Sequence, residues 1–193
     1  MGKLILFMVA SLDGYVAGPN GELDWEVRDP EVGSVLVPEL QGTVETIVIG
    51  RVLYEGFQQA WPAMASNPAT PPPLVEFAKW LETTTKVVFS RGHPPVTWAN
   101  SRLATTVDDA GVRTAISDLK TSRPGDIVVF GGVRLAQTLT RLRLVDEYRL
   151  KLQPVALGSG QPLFTDGAPR VNLKLVKSRA FSSGVLGLYY QPA

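Results

Sequence analysis

The chain has 193 residues, 45% apolar and 19% charged, a balance that excludes a disordered or coiled-coil protein and supplies a sizeable core. Nineteen basic against eighteen acidic residues leave a net charge of +1, too little positive field for nucleic acid or an anionic membrane as partner. The lack of cysteine excludes disulfides, thiolate nucleophiles and cysteine-based metal centres, and a single histidine argues against any transition-metal site.

The apolar run from Lys3 to Ala10 has the look of a signal-peptide core with one positive charge. It is short, and Ser11-Leu12-Asp13-Gly14 follows it in place of a small-residue cleavage site, so it reads as a first strand buried on both faces. No stretch is long enough to span a bilayer, and a cytoplasmic location is expected. The pattern then alternates: helix 30–41, strand 46–50, helices 51–60 and 73–84, strand 86–90, helix 109–121, strand 126–130, helix 132–143. This predicts an α/β protein with a largely parallel sheet, in one domain over residues 1–193. Beyond Arg143, residues 146–152, 171–181 and 185–190 read as antiparallel strands closing one edge, with Ser183-Gly184 as the last turn. Gly14 to Pro30 and Pro62 to Pro73 read as irregular segments, long enough to be working loops or covers.

Three of the predicted strands end alike. Ile47-Val48-Ile49 runs into Gly50-Arg51, Val87-Val88-Phe89 into Ser90-Arg91, and Ile127-Val128-Val129-Phe130 into Gly131-Gly132. Strands that deliver glycine, serine or arginine to one sheet edge offer backbone N–H groups, a hydroxyl and guanidinium forks to phosphate. The helix opening at Gly131-Gly132-Val133 adds unpaired N–H donors and a favourable dipole. Arg51 and Arg91, each a bidentate fork, suit the ribose-phosphate arm of a dinucleotide and favour NADP over NAD.

Other motifs are missing or incomplete. No G-x-G-x-x-G follows the first strand, and no Walker A loop occurs. Gly158-Ser159-Gly160 resembles part of a nucleophile elbow, yet His93 sits among Gly92, Pro94 and Pro95, which leaves a Ser-His-Asp hydrolase without support. The acids best placed for chemistry are Asp13, Asp24 and Asp29, between the first strand and first helix, where a carboxylate orients a heterocycle or assists proton delivery. Asp13 also reads as a turn-former beside Gly14, and Asp29 as an N-cap before Pro30. Asp146 and Glu147 read as structural pairs, and Trp25 and Trp61 as walls for a planar substrate or as packing.

As a set, Ala10-Ser11-Leu12-Asp13-Gly14-Tyr15-Val16-Ala17, Asp24-Trp25, Gly50-Arg51 with Tyr54-Glu55, Ser90-Arg91, Gly131-Gly132, Leu144-Val145-Asp146-Glu147 and Pro154 to Gly160 with Leu163-Phe164 resemble the dihydrofolate reductase-like family. The branch is that of the C-terminal reductase domain of the bifunctional riboflavin biosynthesis protein. The resemblance implies a three-layer fold with a mostly parallel sheet, flanking helices and a C-terminal antiparallel hairpin, with NADPH lying across the strand ends. It implies Ala10, Val16 and Ala17 near the nicotinamide. Gly50, Arg51, Ser90 and Arg91 would surround the adenosine phosphate arm, and Gly131, Gly132 and Val133 would lie under the diphosphate. It also implies a cis peptide between the two glycines, and a homodimer. Where many relatives carry threonine this chain has Leu53, which removes a hydroxyl from the cofactor phosphates and leaves its backbone N–H. The expected activity is an NADPH-dependent reduction of a C=N or C=O bond in a small heterocycle, with Asp13 and Asp24 as candidate catalytic acids. A nucleotide-binding module without turnover is the alternative.

Overall fold

A computed structural model of the protein describes every residue except Met1, Val107 and Arg123. An eight-stranded sheet runs through the molecule in the order β5-β4-β3-β6-β1-β7-β10-β9. Its strands are β1 (Leu4–Ala10), β3 (Val44–Gly50), β4 (Thr85–Ser90), β5 (Ser101–Thr105), β6 (Asp126–Phe130), β7 (Glu147–Leu152), β9 (Leu173–Ala180) and β10 (Leu186–Pro192). The strands from β5 to β7 in this order are mutually parallel; β10 runs against them, and β9, antiparallel to β10, runs with them again. The expected antiparallel pairing at this edge holds for β7 with β10 and for β10 with β9, while β7 pairs on its other side in parallel with β1. The nine-residue α5 (Val133–Arg141) carries the chain from β6 over β1 to β7, and a crossover of this kind imposes a parallel pairing.

Helices cover both faces. α4 (Asp109–Ser122) and α5 pack Val112, Ile116, Leu119, Ala136 and Leu139 against Leu4, Leu6, Met8, Val48 and Val129. The opposite face holds Ile5, Ile47, Ile49, Val88 and Val128 under α1 (Pro30–Gln41), α2 (Arg51–Ser66) and α3 (Pro72–Thr83). Alternate residues of one strand supply both cores, which is why the central strands read as unbroken apolar runs. α1 starts where expected: Asp29 accepts a hydrogen bond from the Glu31 N–H at 2.8 Å, Pro30 needs no partner, and Val32, Leu36 and Leu40 fall on one buried stripe.

Three readings change. The segment from Pro62 to Pro73 is mostly helical, because α2 continues through Pro62 to Ser66 and α3 begins at Pro72. Pro62 removes a single helical hydrogen bond on a largely exposed helix, and Pro72 occupies a first-turn position where the missing N–H costs nothing. Within the irregular span after β1, β2 (Tyr15–Ala17) pairs with β8 (Gln161–Pro162) in a two-stranded sheet. β5 was also unmarked in the sequence, being a short, half-exposed edge strand without an apolar run. At the other edge, Lys174, Lys177 and Arg179 on β9 place charge where unpaired backbone would otherwise recruit another strand.

Lys86, at the start of β4, is buried. Its Nζ donates to the carbonyls of Leu81 (2.5 Å) and Thr84 (2.9 Å) at the end of α3 and lies 4.5 Å from the Trp98 ring centre. A cation on the negative end of α3 fixes the turn into β4, while burial lowers its pKa to about 8. Asp146 and Glu147 are structural, as the sequence suggests. Asp146 accepts from the Leu4 N–H and pairs with Lys120, and Glu147 pairs with Arg149 and Lys3. Among the described residues no helix is long and apolar enough to cross a membrane.

Candidate functional site

The C-terminal tips of β4, β3, β6 and β1 stand side by side at one edge of the sheet, where a cleft of about 1320 Å³ opens. That exceeds the roughly 300–1,000 Å³ of a site for one drug-sized ligand and leaves room for two. Arg51, Leu53, Ser90, Arg91, Gly131, Gly132 and Val133 all line it, so the three strand ends singled out in the sequence converge. Val16 and Ala17 of β2 line it as well. Gly50 abuts the glycine pair: a Cβ added to Gly132 would lie 3.4 Å from the Gly50 Cα.

The glycine pair is obligatory here. Gly131 and Gly132 have φ of +50° and +77°, and a Cβ on Gly131 would lie 2.6 Å from Leu53 Cδ2. The peptide between them is trans, which corrects the cis bond implied by the resemblance. Gly132 caps α5 with no side chain, so among the described residues the first N–H groups of that helix have no side-chain cap, and they start at Val133 and Arg134 of the cleft lining. Leu53 closes over Gly131 and puts hydrocarbon where a hydroxyl was the familial pattern.

Cations gather at the same edge: Arg51, Arg91, Arg134 and Arg141 line the cleft. Arg51 pairs with Glu55 one turn on at 2.8 Å, with both side chains about half exposed. Such a pair is worth about 0.3–0.5 kcal/mol, against about 1.5–3 kcal/mol for a charged hydrogen bond to a ligand, so it does not commit Arg51. The guanidinium groups of Arg91 and Arg134 have no hydrogen-bond or ion-pair partner among the described residues. Arg141 grips Asp109 through two bonds of 2.7 Å, which hold the Asp109 carboxyl below its ordinary range.

The expected acids lie elsewhere. Asp13 is outside the lining residues, and its carboxylate accepts from Ser11 Oγ (2.6 Å), Gly158 N (2.7 Å) and Leu157 N (3.1 Å). These bonds, the Ser11 hydroxyl first, hold its pKa at about 2 and latch the loop after β1 to the loop before β8. Asp24 is exposed and Asp29 caps α1, with Ser183 Oγ donating to its second oxygen at 2.5 Å; neither lines the cleft. Ala10, at the end of β1, is buried behind the lining, and Trp25 donates to the Glu22 carbonyl outside it.

Of the acids between β1 and α1, the one that lines the cleft is Glu26, paired with Lys151 of β7 at 2.7 Å with both side chains largely buried. Register explains the meeting. Val9 stands opposite Lys151 and Phe7 opposite Arg149, so all four share the α1 face of the sheet. Lys151 reads in sequence as one charge in an alternating strand, and only the pairing of β1 with β7 turns it toward the site. Past this pair the wall becomes apolar: Phe7, Val32, Leu36, Val37, Leu40, Phe57, Trp61, Leu74, Phe77 and Phe130.

The residues present fit a pyridine dinucleotide, with a main-chain cradle that a Cβ would fill, an uncapped helix start and four arginines in the lining. Residues 2–187 match the model of the RibD C-terminal domain family. The uncharacterized protein YyaP of Bacillus subtilis (strain 168) is 35% identical over 188 residues, covering 97% of this chain and 94% of YyaP. A crystal structure from Shewanella sp. PV-4, provisionally described as a riboflavin biosynthesis protein, superposes with a TM-score of 0.70 at 22% identity, covering 99% of both chains. The Thermotoga maritima diaminohydroxyphosphoribosylaminopyrimidine deaminase/5-amino-6-(5-phosphoribosylamino)uracil reductase superposes with a TM-score of 0.67 at 15% identity, covering all of this chain and 57% of that one. Likeness at such identities establishes the fold, and the match over residues 2–187 establishes more: this chain belongs to the RibD C-terminal domain family.

Proposed function

We propose that the protein is an NADPH-dependent reductase acting on a C=N or C=O bond of a small heterocyclic substrate, in the range from pterin-like rings to 5-amino-6-(5-phosphoribosylamino)uracil-like compounds. The observation that carries this reading is the convergence of Arg51, Ser90-Arg91 and Gly131-Gly132 in one cleft. In this reading Gly131, Gly132 and the start of α5 hold the diphosphate, while Arg51, Ser90 and Arg91 hold the adenosine phosphate arm. Val16 and Ala17 border the nicotinamide. When bound, the reduced dinucleotide supplies the hydride. The protein's own part is to orient the acceptor, exclude water and hold a proton. That last role, first assigned to Asp13 and Asp24, passes to the Glu26–Lys151 pair, whose ammonium is within reach of the cleft while the Asp13 oxygens are engaged. Asp13 enters as a positioning residue for the β2–β8 sheet.

A second reading, a nucleotide-binding module without turnover, is favoured by Leu53 over Gly131. Calorimetric titration with NADPH, followed by loss of NADPH absorbance over a panel of dihydropterins and ribosylaminopyrimidines, separates the two. Binding with oxidation supports the reductase, and binding without oxidation across the panel supports the module. No binding of NADPH refutes both.

A further inference from the structure

The charged residues of the cleft are unevenly placed. Arg51, Arg91, His93, Asp108, Asp109, Arg134 and Arg141 all follow the tips of β3, β4, β5 or β6. The wedge between α1, α2 and α3 is different. There α1 contributes Val32, Leu36, Val37 and Leu40, α3 contributes Leu74 and Phe77, and α2 beyond its first residue contributes only uncharged side chains. Rings run continuously through it: Phe7 to Phe130 (5.9 Å between centres), Phe130 to Phe57 (6.4 Å), Phe57 to Trp61 (5.8 Å) and Trp61 to Phe77 (4.8 Å). The remaining charged residues of the lining form one ion pair, which is internally neutral because Lys151 is matched by Glu26 at 2.7 Å.

A phosphorylated substrate needs unmatched cations or free N–H groups where its phosphate lands, and a phosphate dianion among these rings would lose hydration with nothing to replace it. A flat uncharged ring loses little hydration and gains stacking or edge contacts with the aromatic side chains. From this we infer that the second ligand of the cleft is an uncharged, unphosphorylated planar ring compound with a single reducible C=N or C=O group, seated among Phe57, Trp61 and Phe130. The inference rests on the reductase reading for the word substrate, and on the wedge alone for the class of ligand.

Binding tests it. Quinoxalin-2-one, a neutral flat ring with one reducible C=N bond, and 5-amino-6-(5-phosphoribosylamino)uracil are titrated into the full chain, with and without NADPH and at two salt concentrations. The inference expects quinoxalin-2-one to bind at least tenfold tighter, with little change on raising salt. It also expects Trp61→Ala to weaken that binding about tenfold or more and Trp61→Phe to restore most of it. Equal or tighter binding of the phosphorylated compound overturns the inference and, if NADPH is oxidised with it, leaves the reductase intact. An unchanged affinity in Trp61→Ala overturns the seating as well. Tight quinoxalin-2-one binding in a protein that does not take up NADPH supports the ligand class and removes the reductase instead.

Discussion

One wall of the cleft is made of main chain and guanidinium, and the wall across from it is made of hydrocarbon rings. The first occupies strand tips, where parallel strands stop in register and the next helix begins, so N–H groups and arginines are delivered together. The second is a gap between helices that pack on the same sheet face as the core. Its side chains are core residues that happen to meet a void. The contrast teaches that an anion site announces itself by residue type, whereas an apolar site is distinguished from a core only by what is missing beside it.

The two walls are separable by experiment. The largest effect is expected from Gly131→Ala, which forces a left-handed backbone on a side chain and drives a Cβ into Leu53. Strain of about 1–3 kcal/mol, added to a lost close approach, weakens NADPH binding by about a hundredfold. Calorimetry reads the loss, with a circular-dichroism melt to show that the chain still folds. Should the variant bind NADPH as well as the parent, the cradle is not where the diphosphate rests.

Arg91→Gln comes next. Removal of one charged fork, worth about 1.5–3 kcal/mol, lowers NADPH affinity about tenfold to a hundredfold and narrows the preference over NADH, with quinoxalin-2-one binding unchanged. A parallel loss of both ligands would mean that the walls are not independent. Phe57→Ala has the reverse signature: about a fivefold loss of the neutral ring, below the cost of a fully buried Phe because Phe57 is half-buried, with NADPH affinity unchanged.

The smallest effect concerns the β2–β8 sheet, which contributes Val16, Ala17 and Gln161 to the cleft. Asp13 has its pKa held near 2 against an ordinary 3.8, so the unfolded chain takes up its proton first as pH falls. The latch therefore contributes fully above about pH 4 and is lost as pH drops toward 2. The amide resonances of Gly158 and Leu157 should titrate together in that range, and Asp13→Asn should abolish the titration. Amides that do not respond to acid would show that the carboxylate does not hold this loop.

Much of the strand-tip wall was legible in sequence because its requirements are stringent. A left-handed backbone demands glycine and the proposed phosphate arm demands fixed charge, and both stand at the ends of apolar runs whose length marks them as buried strands. The boundaries of α1 and β6 were legible for the same reason, with Asp29-Pro30 as a start signal and an uninterrupted apolar run to Phe130. The second pairing of β7 was not. Its antiparallel pairing with β10 follows from the pattern, and only the passage of α5 over β1 sets its other edge parallel to β1.

The site's acid shows the same limit. Asp13, Asp24, Glu26 and Asp29 lie within one stretch of chain and are chemically equivalent there. Tertiary structure separated them, placing Asp13 on the loop before β8, Asp29 on α1 and Glu26 against Lys151, a partner 125 positions away. The α/β class, the strand ends and the phosphate-suited residues followed from local backbone and charge preferences carried by neighbouring residues. Which carboxylate faces the cleft, and that a hydrocarbon wedge opens beside it, depended on contacts between distant segments, which nearby residues do not encode.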